Sequence, residues 1–183
     1  MSGRRLLVAS VVLALAGLAG IFMAGLMLAD GNGATTASNP ASGTLEVPLR
    51  APAIDGLDPI TGATVSLPSG KRKPVVLTVW ASWCGPCARG ASVIRVFARR
   101  HRGEAVVIGL DLQDRPRDAR AFYEEAGWTF RSIADPDGAF AAELGIGELP
   151  TTLVIVRGRL VVARVEGIAS RQELEAAFAE ALG

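Results

Sequence analysis

The chain has two cysteines, and both fall within one pentapeptide, Trp83-Cys84-Gly85-Pro86-Cys87. The flanking sequence restricts what can form there. Val75-Val76-Leu77-Thr78-Val79-Trp80 is a nearly continuous apolar run, the pattern of a strand covered on both faces. From Pro86 to about Arg102, Ala91, Ile94, Phe97 and Ala98 recur at helical spacing, with Arg89, Arg95, Arg99 and Arg102 mostly on the opposite, solvated side. This order puts Cys84 at a strand-to-helix turn and Cys87 in the first helical turn. Unpaired backbone N–H groups and the positive end of the helix dipole favour a thiolate at that place. Pro86 has no N–H to lose there, and its φ is already near helical. Two thiols one turn apart can close a disulfide with little backbone movement. A bond over so short a loop constrains the unfolded chain only weakly. A closed zinc site needs about four ligands, and the only histidine is His101. The residues therefore point to thiol chemistry with no metal.

This stretch resembles the active site of the thioredoxin superfamily, which carries Trp-Cys-Gly-Pro-Cys on the same strand–motif–helix background. The resemblance covers roughly Ala51 to Leu182. It is nearest to membrane-anchored proteins of the TlpA/ResA/CcmG kind, in which an Ala-Pro-x-apolar stretch, here starting at Ala51-Pro52, precedes the core. It implies that Cys84 is the exposed nucleophile and Cys87 the shielded resolving thiol. Gly85 and Pro86 support the turn, and Trp83 packs beside Cys84. It also implies a cis proline opposite the cysteines, just before the strand that opens the terminal hairpin; Leu149-Pro150 occupies that place. The Leu149 backbone N–H and C=O would then pair with an extended substrate segment. Two residues depart from family patterns. Thr78 stands where thioredoxin has a buried Asp, and Gly90 where several TlpA/ResA-like reductases have a Glu. Both acids move protons for the resolving thiol, so Glu148 or a bound water is the substitute expected here.

The remainder of the soluble part reads as alternating elements. Ile54–Leu57 and Ala63–Leu67 flank a loop with Pro59 and Gly62, a small hairpin. Ala105–Asp111 is a second buried strand. Pro116–Ala126 is a helix, with Ala119, Phe122, Tyr123 and Ala126 on one face and Gly127 at its end. Asp135–Gly138 is a turn, and a short helix with Phe140 and Leu144 on one face follows. Leu153–Val156 and Leu160–Val165 form a hairpin about Gly158. Ser170 with Glu173 makes a capping box for a last helix whose apolar face is Leu174, Ala177, Phe178 and Ala181. Trp80 and Trp128 are expected in the core or at its rim, and His101 at a helix end, near its terminal carbonyls or solvent. The pattern predicts an α/β fold with a covered sheet. The resemblance specifies the thioredoxin-like form, a mixed central sheet with helices on both faces.

The N-terminus bears on location. Leu6–Ala29 is uncharged, and as a helix it would span about 36 Å, enough for a hydrocarbon core of about 30 Å. Arg4 and Arg5 precede it, and the next basic residue is Arg50. The positive-inside rule then places the N-terminus in the cytoplasm and the rest outside. A cleaved signal segment is the alternative. The expected organisation is an anchor over residues 1–29, a flexible Gly/Ala/Ser/Thr/Asn-rich linker over 30–44, and a thioredoxin-like domain over 45–183. The net charge of +1 argues against nucleic acid as a partner.

Together these readings imply a membrane-tethered, extracytoplasmic thiol–disulfide oxidoreductase whose redox group is the Cys84–Cys87 pair itself, without an added cofactor. Gly-Pro between the cysteines resembles reducing members. Protein disulfides are the implied substrates, and by family analogy those of apocytochrome c during cytochrome c maturation. A membrane thiol donor would supply electrons. One alternative is an extracytoplasmic oxidase. Another, of a different class, is a copper metallochaperone with two soft thiolate ligands.

Overall fold

The computed structural model describes residues 49–183. The expected anchor and linker lie outside the described residues. Among the described residues no helix is long and apolar enough to cross a membrane.

A hairpin of β1 (Asp55–Leu57) and β2 (Thr64–Ser66) leads into β3 (Val75–Trp80), α1 (Gly85–Arg100), β4 (Val106–Leu112) and α2 (Pro116–Ala126). Then come β5 (Arg131–Asp135), α3 (Ala139–Glu143), β6 (Thr151–Val156), β7 (Leu160–Glu166) and α4 (Arg171–Glu180). Five strands form one mixed sheet in the order β5-β4-β3-β6-β7. β4 runs parallel to β3 and to β5, whereas β6 is antiparallel to β3 and to β7.

β3 lies at the centre, and all six of its residues are buried. Alternation along it feeds two cores. Val76 and Trp80 join Cys84, Cys87, Phe97, Phe122, Trp128, Leu174 and Phe178 on the side of α1, α2 and α4. Val75, Leu77 and Val79 join Leu110, Ile133, Leu144, Leu153 and Ile155 on the other. Trp80 stacks on Phe122 at a centroid distance of 4.8 Å and meets Trp128 edge-on at 5.3 Å. Beneath it, Gly109 leaves room that no side chain could share: a Cβ there would lie 2.7 Å from Trp80 Nε1 and 2.1 Å from Ser132 Oγ.

Most elements fall where periodicity puts them, and α2 has the expected bounds. The last helix carries both hydrogen bonds of its capping box. Glu173 N–H donates to Ser170 Oγ and Ser170 N–H to the Glu173 carboxylate. That bonding holds the Glu173 carboxyl below its usual range.

Two expectations need correction. β5 lies between Trp128 and the Asp135 turn, where the sequence pattern marks no strand. Its only large apolar residue is Ile133, and its other fully buried positions are Ser132 and Asp135. Parallel pairing with β4 makes it a strand. The Asp135 carboxylate earns its burial by accepting the Phe140 and Ala141 N–H groups at the start of α3.

His101 is the second case. It caps α1, but its ring meets neither the terminal carbonyls nor open solvent. Nδ1 lies 2.8 Å from Glu104 and Nε2 2.8 Å from Glu175 of α4, between the rings of Phe97 and Phe178. The residue therefore ties the end of α1 to α4. His101→Ala should destabilise the fold by about 1.5–3 kcal/mol, the scale of hydrogen bonds to charged groups; guanidinium unfolding measures it.

Candidate active site

β3 ends at Trp80, and the chain turns through Ala81, Ser82 and Trp83 into α1. Cys84 is the N-cap of α1: it is extended at φ −85° and ψ 99°, and its sulfur accepts the Cys87 N–H at 3.1 Å. Pro86 lies in the first turn. Cys84 and Cys87 are joined by a disulfide, with Cα atoms 5.2 Å apart.

The expected contrast between an exposed first cysteine and a shielded second is not present in area, since Cys84 is 4% and Cys87 3% exposed. The two differ instead in what they line. Cys84 lines an open groove of about 410 Å³ with Trp83, Gly85, Pro86, Leu112 and the segment Ile146–Leu149. Cys87 lines an interior pocket of about 10 Å³ with Thr78, Gly90, Pro150 and Thr152. The Leu149–Pro150 peptide is cis, with Leu149 half-buried and Pro150 buried. Trp83 is 60% exposed on the groove wall. Thus every residue singled out from the sequence, Trp83, Cys84, Gly85, Pro86, Cys87, Leu149 and Pro150, borders one of these two adjoining spaces.

The two departures also converge. Thr78 pairs directly across from Thr152, and both flank Cys87. A Cβ at Gly90 would stand 3.3 Å from Ile168 Cγ2, so the missing side chain is replaced by a neighbour from the loop after β7. Glu148 lies on the Cys84 groove, whereas the pocket beside Cys87 is lined by no acid.

Sequence reasoning missed the group that latches the turn before Cys84. Asp114 accepts the Ser82 backbone N–H, accepts the Ser82 hydroxyl at 2.7 Å and accepts Arg115 N–H at 2.9 Å. The carbonyl of Gln113 accepts the Trp83 indole N–H at 3.3 Å. Gln113 holds a positive φ of 49°, an uncommon conformation for its type. Beside this latch, Asp111 is buried opposite Trp80 and one of its oxygens has no partner. Burial, then the charge of Asp114 and a hydrogen bond with it, push the Asp111 carboxyl up to about 8. The available signal was position. Asp-x-x-Asp lies at the carboxyl end of the parallel strand beside the cysteine-bearing one, where open α/β sheets place their sites.

A family model described as Redoxin matches residues 49–181. The chain belongs to the redoxin family. Within the thioredoxin superfamily it is of the TlpA/ResA/CcmG-like kind. It is 34% identical over 103 residues to a thiol:disulfide interchange protein DsbE of Xylella fastidiosa, a match covering 56% of this chain and 51% of that one. It thus spans about half the length of these first curated relatives. A thiol-disulfide oxidoreductase ResA of Bacillus anthracis is 26% identical over 117 residues, covering 63% of this chain and 68% of that one. The crystal structure of a putative thiol:disulfide interchange protein DsbE from Chlorobium tepidum superposes with a TM-score of 0.67 at 25% identity, covering 74% of this chain and 97% of that one.

The shift of Asp111 gives this redoxin-family domain a pH dependence. Its folded-state pKa is raised above the unfolded value of 3.8. Between about pH 4 and about pH 8 the folded state therefore binds the proton that the unfolded chain releases. This contribution to stability is lost as pH rises through that window, at up to about 1.4 kcal/mol per pH unit, and levels off above it. Asp111→Asn should remove the slope, so that its stability relative to wild type improves from pH 5 to pH 8.5; urea unfolding at the two pH values checks it.

Proposed function

We propose that this chain is a thiol–disulfide oxidoreductase that exchanges the Cys84–Cys87 disulfide with cysteine pairs of other proteins. The observation that carries this reading is the placement of that disulfide at the start of α1, with Cys84 on a groove whose opposite wall is Ile146–Leu149. In the reducing direction the Cys84 thiolate attacks a substrate disulfide. One substrate sulfur leaves as a thiolate, and Cys84 is held in a mixed disulfide. The Cys87 thiol loses its proton and attacks Cys84 Sγ; the second substrate sulfur leaves, and the Cys84–Cys87 bond forms. Two electrons pass to the substrate. Helix-terminus N–H groups favour the Cys84 thiolate both as nucleophile and as leaving group. A substrate segment would lie extended along Leu149, using its backbone groups for strand-like pairing, with its flanking side chains against Trp83 and Leu112.

The finer reading is a reductase, tethered to the cell membrane by residues 1–29 with the catalytic domain on the extracytoplasmic side. The uncharged span Leu6–Ala29 with Arg4 and Arg5 before it supports the tether. A membrane thiol donor would regenerate the dithiol. The cysteines of apocytochrome c, during cytochrome c maturation, are the substrate class we favour. This last assignment is supported by the resemblance to TlpA/ResA/CcmG-like proteins.

Cys84→Ser should abolish reduction of a protein disulfide by the full chain, and Cys87→Ala should accumulate a covalent mixed disulfide with substrate, seen on a non-reducing gel. Retained turnover in Cys84→Ser would refute the roles given to the two sulfurs. A redox titration against glutathione tests the direction: a midpoint near about −270 mV fits a reductase and one near about −120 mV an oxidase.

A further inference from the structure

We propose that Arg164 of β7 is a positioning residue for the substrate-facing wall: its guanidinium clamps the carbonyls of Leu144 and Gly145 and so holds Ile146–Leu149 in place across the groove from Cys84. The inference rests on the oxidoreductase reading for its effect on substrate, and not for the clamp itself.

The wall has little of its own to hold it. It follows α3, which has five residues, too few for a helix to persist without tertiary support. Gly145 leaves that helix at a φ of 64°, and a Cβ added at Gly147 would meet nothing within 4 Å. Ile146 N–H donates to Ala141 O at 2.9 Å at one end of the segment, and the Thr151 hydroxyl donates to Glu148 O at 2.8 Å at the other. Arg164 adds a tie to the sheet. Its Nη2 donates to Leu144 O at 2.7 Å and its Nη1 to Gly145 O at 2.9 Å. Two nitrogens of one rigid, planar fork thus fix two successive carbonyls. Carbonyls at the end of a helix lack partners within it, and a cation is favoured beside them.

An ordinary surface ion pair does not describe this arginine. Nη1 lies 3.3 Å from Glu166 Oε1, but the Arg164 side chain is 10% exposed and that of Glu166 53%. A pair with one half-exposed partner contributes little. A buried guanidinium, in contrast, must have its donors taken up, and its two shortest contacts are the carbonyls. Arg164 stands opposite Leu153 in register on β6. That strand begins at Thr151, directly after Pro150, and pairs with β3. The clamp therefore ties the wall to the same sheet that positions Cys84.

The two classes of disulfide should feel the clamp differently. A small disulfide needs only a reachable Cys84 sulfur. An extended polypeptide must contact Trp83 on one side of the groove and Leu149 on the other, so its binding depends on where the wall stands.

The full chain is compared with three variants. Arg164→Met keeps an apolar stem and drops the guanidinium, Arg164→Lys keeps the charge without the fork, and Glu166→Gln removes only the ion pair. Hydrogen exchange of the oxidised chains, read by mass spectrometry, needs no activity. Amides of Gly145–Leu149 should exchange about tenfold faster in Arg164→Met, a larger factor than for those of β3. Equal factors overturn the clamp. The reduced chains are then oxidised in single turnovers by glutathione disulfide or by insulin. In Arg164→Met the half-saturating insulin concentration should rise about tenfold, with the limiting rate and the glutathione disulfide rate constant unchanged. Arg164→Lys should fall between wild type and Arg164→Met, and Glu166→Gln should stay within about twofold of wild type. An unchanged insulin half-saturation in Arg164→Met, an equal loss with glutathione disulfide, or a Glu166→Gln effect as large as that of Arg164→Met overturns the proposal. If Arg164→Met does not fold, Arg164→Lys decides on the same readings, since one ammonium cannot replace the two-pronged fork; wild-type exchange and half-saturation in it overturn the proposal. A wild-type chain that reacts with neither disulfide overturns the oxidoreductase reading instead, and leaves hydrogen exchange to decide the clamp.

Discussion

Complete burial of β3 determines where the chemistry sits. A strand covered on both faces cannot shift register without exposing a whole row of Val, Leu and Trp side chains. Its pairing with β4 on one side and β6 on the other is thereby fixed residue by residue. The chain must leave it at Ala81, and Cys84 must begin α1 at the sheet end where β6 also begins. The meeting of Cys84 with Leu149–Pro150, which lie far apart in sequence, follows from that register. The two residues never need to recognise each other directly.

The sheet was legible because its central elements obey simple periodicity. β3, α1, α2 and the capped last helix are each specified by a run of apolar positions and a terminal residue of the right kind. β5 was not legible, since a strand with Ser132 and Asp135 buried carries no period; its pairing partners and the N–H groups of α3 compensate for its polarity. The cysteines and the proline were legible through the pentapeptide and the place of Pro150 before the hairpin. The roles of Thr78 and Gly90 were visible only as missing acids. Structure supplies what fills the gap: a facing threonine, Thr152, and the side chain of Ile168. Asp114 was invisible because its partner, Ser82, is a small polar residue in a loop, and a hydrogen bond across 32 residues leaves no local signature.

The two sulfurs are unevenly enclosed. Both are nearly inaccessible by area, yet one borders a space large enough for a peptide and the other a space about the size of a water molecule. Access is thus set by the walls, and the walls are contributed by separate parts of the chain: the cysteine turn with Leu112 and Ile146–Leu149 for one, the strand centres with Gly90 and Pro150 for the other. Each set of walls can change its chemistry while the sulfur positions stay put.

The bridge between Arg50 and Leu160 has a geometric corollary. Leu160 opens β7 beside Val156, the end of β6 farthest from Thr151 and the proline. Ala51 N–H closes the same corner on Arg159 O at 2.8 Å. The first described residues therefore lie at the pole remote from the sulfurs, so the whole of β6 separates them from Cys84 and the cis proline.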